Sequence, residues 1–135
     1  MQPLAQFPRA ARQRITCLLT DIDDTITTAG RLPGASITGM ERLAAVGIDV
    51  IPVTGRPAGW CDHMARMWPV AAVVGENGAF YFSYDENKRR VNRVFARSRE
   101  QRIADRLRLD ELRTTILAAV PEAAIASDPV SYTHL

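Results

Sequence analysis

The chain has 135 residues, of which 47% are hydrophobic and 24% are charged, and its formal net charge is +2. These values are typical of a soluble globular protein and leave room for one ordinary domain or for part of a larger one. No apolar run approaches the roughly 20 residues that cross a bilayer, and the two cysteines are too few for a disulfide framework. We therefore expect a cytoplasmic protein without a membrane partner.

The first 79 residues alternate between short apolar segments and amphipathic ones. Short apolar segments that end in polar residues predict buried strands, whereas apolar residues at helical spacing predict helices. After a lead-in over 1–14, predicted to be flexible, the expected elements are a strand over about 15–20, a helix that begins at Ser36 or Thr38 and ends at Gly47, a strand in "IDVIPVTG", a helix from Pro57 to Pro69, and a strand in "VAAVVGENGA". This alternation predicts an α/β fold with a Rossmann-like parallel sheet.

The pattern changes after the third predicted strand. "FYFSY" and "RVNRVFA" flank a polar turn and predict a β-hairpin, and a long helix follows from Ser98 until Pro121 closes it. "AAIAS" is a candidate for the start of a further strand. We expect 15–79 to form the main core and 80–128 to form a second, α+β module. The tail over 129–135 fits neither helix nor strand and is interpreted as non-native.

Polar clusters follow all three predicted strands of the core: "DIDDT", "TGR" and "GENGA". The carboxyl ends of parallel strands share one edge of a sheet, so these clusters are expected to converge. Asp21 and Asp23 can hold a hard cation such as Mg²⁺. One carboxylate can also attack phosphorus while the other transfers a proton. The alternative is a solvated turn, or an aspartate that caps a helix.

The second cluster suits a phosphoryl group. The hydroxyl of Thr54 and nearby backbone N–H groups can bind a phosphoryl oxygen, and Gly55 lets the backbone approach closely. Arg56 can add charge-assisted hydrogen bonds. The alternative is an ordinary turn between a strand and a helix.

These motifs resemble those of a known family. "LLTDIDDTIT" resembles the first motif of the haloacid dehalogenase-like (HAD) phosphohydrolases, and "VIPVTGRP" resembles the second. "VGENGA" is similar to a segment of the branch whose cap is inserted after the third strand, which includes the Cof-type, sucrose-, trehalose- and mannosylglycerate-phosphate phosphatases. The resemblance extends well over about 15–84. It implies that the chain contains the first three strands of a HAD core and, over 80–128, the beginning of a cap.

The resemblance also implies a role for each matching residue. It makes Asp21 the nucleophile and Asp23 the general acid and base, and Mg²⁺ would be bound by Asp21 and by the backbone carbonyl of Asp23. The expected substrate-binding residues are Thr54, Gly55, Arg56 and Asn77. Thr25 would help to shape the loop, and Asp24 stands where many members have glycine, so it is expected to stabilise the loop without acting in catalysis.

The sequence departs from the family pattern after Ala79, where the one lysine, Lys88, lies in the predicted hairpin turn and not at the position of a family motif. The family's third-motif Lys or Arg and its fourth-motif acidic pair are not found there. We therefore interpret the chain as an N-terminal fragment that is inactive or nearly so, with an open apolar edge at its first strand.

The expected function is that of a Mg²⁺-dependent phosphatase acting through an aspartyl-phosphate on a small phosphorylated metabolite, with sugar phosphates as the first candidates. One alternative is a receiver-like signalling domain, although its acceptor aspartate is missing after the third strand. Another is a basic binding module centred on 88–108. Nucleic acid is not favoured as its partner, since the aromatic residues precede the basic run. Substrate identity and oligomeric state are not encoded in these motifs.

Overall fold

The computed structural model describes residues 3–125 of the chain. The α-helices are α1 (Arg9–Arg12), α2 (Gly34–Ala45), α3 (Ala58–Met67) and α4 (Arg99–Ala119), and the strands are β1 (Cys17–Asp21), β2 (Asp49–Val53), β3 (Val73–Gly75), β4 (Phe80–Asp85) and β5 (Arg90–Phe95). Short 3₁₀ turns span Leu4–Gln6 and Glu76–Gly78.

The strands form one sheet in the order β1-β2-β3-β4-β5. The pairings of β1 with β2 and of β2 with β3 are parallel, and Asp21 lies opposite Val53 in the register. The carboxyl ends of β1 and β2 therefore lie side by side at one edge of the sheet. This arrangement confirms the predicted α/β fold with a parallel sheet.

The hairpin of β4 and β5 continues the same sheet. β4 pairs antiparallel with β3, and Gly75 lies opposite Phe80 because the three-residue turn Glu76–Gly78 reverses the chain directly after β3. β5 then pairs antiparallel with β4 along its whole length. The sequence predicts the hairpin but places it in a second module, so its pairing with β3 is a difference from expectation. The division into a core over 15–79 and a cap over 80–128 stays a prediction.

The main core lies between α3 and the sheet. Residues spaced three and four apart on α3 share one helix face, which is why this short helix packs along a single stripe. The stripe of Cys61, Met64 and Ala65 packs with Val73 of β3 and with Phe80 and Phe82 of β4. The rings of Phe80 and Phe82 stack with their centroids 4.4 Å apart. Burial of one such side chain stabilises the fold by about 1.5–3 kcal/mol.

The helix boundaries agree with the sequence in part. α4 begins as predicted, with Ser98 and Gln101 in a reciprocal capping box. The expected start of α2 at Ser36 or Thr38 is wrong, because the helix begins at Gly34 after Pro33. The Ser36 hydroxyl instead donates to the carbonyl of Ile26 at 2.8 Å, so it fixes the preceding loop to the helix.

At both ends of residues 3–125 the structure differs from the elements predicted from the sequence. The lead-in contains a 3₁₀ turn and the single-turn helix α1, although no element is predicted there. Residues 121–125 form no strand, so this part of the predicted "AAIAS" strand is wrong. Its last two residues and the tail over 129–135 lie outside the described residues.

Strand β1 forms one end of the sheet. Within residues 3–125 it pairs only with β2, and its side chains Leu18 and Leu19 are 40% and 66% exposed. The apolar edge that the sequence predicts at the first strand is therefore present.

No helix within residues 3–125 is both long enough and apolar enough to cross a membrane.

Candidate active site

The loop after β1 is built around one buried residue. Ile22 is only 3% exposed, and its carbonyl accepts the backbone N–H groups of Thr25, Ile26 and Thr27 at 3.1–3.3 Å. The Thr27 hydroxyl donates to the same carbonyl at 2.9 Å. Because the apolar side chain is anchored and the chain folds tightly around it, the flanking carboxylates of Asp21 and Asp23 stay exposed at the edge of the sheet.

Two further residues of this loop, Thr25 and Asp24, form hydrogen bonds within it. The Thr25 hydroxyl donates to Oδ2 of Asp21 at 3.3 Å, which restrains that carboxylate. Asp24 has a φ of 55°, in the left-handed region that favours glycine. Its backbone N–H donates to the Thr27 hydroxyl at 3.1 Å. Asp24 therefore occupies a turn position, and the role of its carboxylate stays a prediction.

The loop after β2 presents the second predicted cluster. Thr54 is 3% exposed, and its backbone N–H donates to the carbonyl of Val74 at 3.0 Å. The Thr54 hydroxyl accepts the backbone N–H of Arg56 at 3.1 Å. The loop is thus fixed by hydrogen bonds on both sides of Gly55 before any ligand binds.

An ion pair joins the two loops. Nη2 of Arg56 lies 2.7 Å from Oδ1 of Asp23, and Nε lies 3.3 Å from Oδ2. Both side chains are roughly half exposed. The structure therefore brings the predicted catalytic carboxylates and the predicted phosphate-binding loop into one site, as the convergence of the strand ends implies.

The turn after β3 completes this edge. The backbone N–H groups of Glu76 and Asn77 donate to the carbonyls of Arg56 and Thr54 at 3.2 and 3.1 Å. A Cβ atom added at Gly55 would lie 3.3 Å from Oδ1 of Asn77, so the amide of Asn77 rests against the backbone of the loop predicted to bind phosphate. The structure thus places Asn77 beside Gly55, and its role in binding substrate stays a prediction.

The chain matches the family model of the haloacid dehalogenase-like hydrolases over residues 18–128. It belongs to that family. A solved HAD-superfamily phosphatase from Bacteroides thetaiotaomicron has a similar fold, with a TM-score of 0.51 and 24% sequence identity. The alignment covers 83% of this chain and 40% of that one, so the chain spans less than half the length of the structure that it matches. No curated protein matches the chain at a significant level.

One carboxylate of this HAD-like hydrolase lies at the site without having been singled out by its sequence. Glu76 is 4% exposed with a φ of 47°, and its Oε1 accepts the backbone N–H of Ala58 at 3.3 Å. It therefore binds one of the N–H groups that a helix leaves unpaired at its start. A glutamate in a glycine-rich turn normally faces water, so its sequence context does not indicate that Glu76 is buried. The sequence indicates only that Glu76 follows a strand directly, at the edge of the sheet where the other predicted site residues lie.

Burial changes the chemistry of a neighbouring thiol. Cys61 is fully buried, and its burial, with a smaller contribution from the nearby charge of Glu76, raises the pKa of the thiol to about 12. A neutral thiol beneath the site is a packing group and not a nucleophile.

The donor set at the edge suits a magnesium ion in part. Mg²⁺ usually takes one or two carboxylates from the protein and completes its octahedron with substrate phosphates and water. The exposed carboxylate of Asp21 and the backbone carbonyl of Asp23 are hard oxygen donors of this type. Within residues 3–125, no group of three or more His, Cys, Asp and Glu side chains is placed to hold a metal. The described residues therefore fit the ion as partial ligands.

The basic run over 88–108 is less uniformly positive than its sequence indicates, because aspartates from several elements pair with it. Within residues 3–125, ion pairs join Lys88 with Asp85, Arg93 with Asp62, Arg97 with Asp105, and Arg106 with Asp110. The absence of nucleic-acid binding stays a prediction.

Proposed function

We propose that this chain carries the nucleophile and the phosphate-binding loop of a Mg²⁺-dependent phosphatase that acts through an aspartyl-phosphate. The observation that carries the proposal is the contact between the loops after β1 and β2, where Asp23 and Arg56 pair at 2.7 Å beside Asp21 and Thr54. Membership of a hydrolase family supports this function over that of a receiver domain.

In the first step, a carboxylate oxygen of Asp21 attacks the phosphorus atom of the substrate. The bond between phosphorus and the ester oxygen breaks, and the electron pair leaves with that oxygen. The Thr25 hydroxyl, which bonds Oδ2 of Asp21, favours a rotamer in which Oδ1 makes the attack. The Thr54 loop receives the phosphoryl oxygens through the Thr54 hydroxyl, which can still donate, and through the backbone N–H of Gly55 between the two N–H groups already bonded within the fold.

Asp23 supplies and later recovers the proton. As a carboxylic acid it protonates the leaving alkoxide; as a carboxylate it then takes a proton from the water that attacks the aspartyl-phosphate. The second attack releases inorganic phosphate and regenerates Asp21. Because Arg56 pairs with Asp23 in this structure, an incoming phosphate dianion competes for the guanidinium and releases the Asp23 carboxylate, which takes up a proton from water before it protonates the leaving alkoxide.

Mg²⁺ would be bound by the Asp21 carboxylate and by the backbone carbonyl of Asp23. When bound, the ion supplies positive charge that offsets the repulsion between the attacking carboxylate and the phosphate. Its involvement is supported by the hard oxygen donors at this edge.

The substrate class that we propose is a small phosphorylated metabolite, with sugar phosphates as the first candidates and the cytoplasm as the expected location. Within residues 3–125, Arg56 is the basic side chain that hydrogen bonding places at Asp23. With so little positive charge described at the nucleophile, we expect the 135-residue chain alone to turn over slowly or not at all.

The test measures phosphate release with Mg²⁺ in this chain and in the longest natural polypeptide that contains it. Asp21→Asn should abolish turnover in the active form, on the order of 10³-fold or more, and should abolish the gain of one phosphoryl group in the intact mass. Asp24→Asn is the matched control, since it removes a neighbouring carboxylate that serves the turn. Undiminished turnover by Asp21→Asn would overturn the nucleophile assignment.

A further inference from the structure

A cavity of about 580 Å³ lies beside the active-site edge. Its walls come from the turn after β3, the end of β5 and the part of α4 between Arg102 and Leu112. We call it the arginine cavity because its lining includes Arg97, Arg102 and Arg108. Its volume falls within the range of roughly 300–1,000 Å³ that is typical of small-molecule sites.

The three guanidinium groups are held differently. Nη1 of Arg97 lies 2.7 Å from Oδ2 of Asp105, which compensates its charge and orients it. The guanidinium of Arg102 lies over the ring of Phe95, 3.7 Å from the ring centroid. Arg108 is exposed and, within residues 3–125, forms no ion pair with a carboxylate. The lining therefore holds three arginines against the two carboxylates of Asp105 and Glu76, and Arg108 presents a charge that no ion pair within residues 3–125 neutralises.

Besides the arginines and Asp105, the lining holds two polar residues, Asn77 and Glu76, and Oε1 of Glu76 accepts the backbone N–H of Ala58; the other residues of the lining are apolar. Phe95 and Ala79 contribute from the sheet, and Leu109 and Leu112 contribute from α4. Apolar walls with a small number of placed polar groups are characteristic of sites for small molecules that have a carbon skeleton. A bare inorganic anion would leave these walls without a partner.

The arginine cavity shares a wall with the phosphate-binding loop. Asn77 lines the cavity, its backbone N–H donates to the carbonyl of Thr54 at 3.1 Å, and its side chain rests against Gly55. A molecule whose phosphoryl group lies at the Thr54 loop can thus extend past Asn77 into the cavity.

We propose that the arginine cavity binds the leaving group of the substrate, and that this leaving group carries a second anionic group on a short carbon skeleton. The inference rests on the proposed phosphatase function and narrows its substrate class to phosphate monoesters with an additional carboxylate or phosphate. The second anion pairs with Arg108, next to the Arg97 guanidinium that Asp105 fixes. The carbon skeleton packs on Phe95 and Leu109.

The experiment measures equilibrium binding to the 135-residue chain with two matched pairs of compounds. Phosphoglycerate against glycerol phosphate tests an added carboxylate, and a hexose bisphosphate against the hexose monophosphate tests an added phosphate. Dissociation constants come from calorimetry, and backbone NMR shifts at Asn77, Ala96 and Arg108 locate the binding. The doubly anionic compound of at least one pair should bind about tenfold more tightly, as expected for one added charge-assisted hydrogen bond.

Arginine variants separate this site from a general effect of charge. Arg108→Gln should reduce the preference for the second anion to less than about twofold, whereas Arg108→Lys should keep part of it. Arg99→Gln is the matched control, because Arg99 lies on the same helix, is exposed and does not line the cavity. The inference would be overturned if neither pair of compounds showed a difference in dissociation constant, or if neither bound. It would also be overturned if Arg99→Gln and Arg108→Gln reduced the preference for the second anion equally.

The two proposals can fail separately. Binding needs no turnover, so a preference that depends on Arg108 can exist even if Asp21→Asn leaves phosphate release unchanged. The converse result is that Asp21→Asn abolishes turnover while neither pair of compounds shows a preference for a second anion. That result would support the phosphatase function and would reject the proposal that the arginine cavity binds an anionic leaving group.

Discussion

Arg56 and Asp23 form a two-point ion pair across 33 positions of sequence, with contacts of 2.7 and 3.3 Å between the guanidinium and the carboxylate. Each residue belongs to the loop that follows a different strand, and the two strands are parallel neighbours. The pair therefore connects the loop that carries the carboxylates with the loop predicted to bind phosphate. It also places the proposed proton donor in contact with the proposed phosphate ligand.

We expect this ion pair to contribute little to stability. Both side chains are roughly half exposed, and exposed pairs typically contribute about 0–1 kcal/mol. A double-mutant cycle with Asp23→Asn and Arg56→Gln, measured by urea unfolding, should give a coupling energy below about 1 kcal/mol. A coupling above about 2 kcal/mol would show that the pair is mainly structural, contrary to its proposed role in exchanging with phosphate.

Replacing Asp24 by glycine should be tolerated. Its φ of 55° lies where a side chain costs about 1–2 kcal/mol, and glycine relieves that cost although it adds freedom to the unfolded chain. We expect the free energy of unfolding of Asp24→Gly to be unchanged or higher by up to about 1 kcal/mol, with turnover retained. Asp24→Ala keeps the backbone strain and is the control, expected to be less stable than Asp24→Gly. A less stable glycine variant would contradict this assignment.

Gly75 should be intolerant of alanine. Its φ of −116° suits any residue, but an added Cβ would overlap the ring of Phe80 and would lie 2.7 Å from Sγ of Cys61. Such overpacking typically costs about 1–3 kcal/mol, so Gly75→Ala should lower the midpoint of thermal unfolding. Gly39→Ala is the matched control in α2, where a Cβ meets nothing within 4 Å, and it should gain about 0.5–1 kcal/mol. Equal stability of the two variants would refute the packing argument.

The two cysteines should differ in reactivity. Cys17 is exposed, whereas Cys61 is buried and its pKa is raised to about 12. A thiol reagent at pH 8 should modify Cys17 rapidly in the folded chain and Cys61 only after denaturation, as measured by intact mass. Rapid modification of both thiols under native conditions would contradict the burial of Cys61.

The same thiol should make stability depend on alkaline pH. Because the folded pKa of Cys61 lies above its ordinary value of 9.0, its contribution is complete below pH 9 and is lost as the pH rises toward about 12. Cys61→Ala should therefore lose less stability than the natural sequence over that range, although it starts lower because of the cavity that it leaves.

Asp62 should stabilise the fold at neutral pH and lose this effect in acid. Its carboxylate bonds Arg66 on α3 at 2.6 Å and Arg93 on β5 at 3.0 Å, and these bonds hold the pKa of Asp62 below its usual value. A lowered folded pKa gives stability that is present above the unfolded pKa and is lost as the pH falls through the folded pKa. Asp62→Asn should thus be less stable at pH 7, and the difference should shrink below about pH 4.

The control for this prediction is Glu86→Gln, which removes an exposed acid in the turn of the hairpin. A difference for Asp62→Asn that persists unchanged into acid would show that the ion pairs do not cause the effect.

The position of the candidate site at the carboxyl edge of the sheet could be predicted from the sequence, because it follows from the parallel arrangement of the strands. Parallel strands place their carboxyl ends together, so Asp21, Asp23 and Thr54 had to converge once β1 and β2 were recognised. The pairing of Asp23 with Arg56 could not be derived, since rotamers of long exposed side chains leave no periodic signal. The buried position of Glu76 depends on a left-handed turn that the sequence "GENG" permits without requiring.

The structure differs from the sequence prediction in the placement of the hairpin and in the start of α2, and the two errors have similar causes. Local propensity identified the hairpin of β4 and β5 but not its partner strand, because the tight turn Glu76–Gly78 that brings β4 back onto β3 needs positive φ angles that the sequence permits without requiring. The start of α2 was misplaced because Ser36 is a good capping residue whose hydroxyl instead bonds Ile26. In both cases a correct local pattern was redirected by a contact with a neighbouring segment.

The order of strands in the sheet has a consequence for synthesis on the ribosome. Each strand after β1 pairs with the strand that precedes it in the chain, so every new strand emerges next to a finished partner. Chains emerge from the amino-terminal end at about 5–20 residues per second, which is slow compared with the formation of a hairpin. The sheet can therefore be added strand by strand in the direction of translation, and the loops that carry Asp21 and Arg56 can meet before α4 has been made.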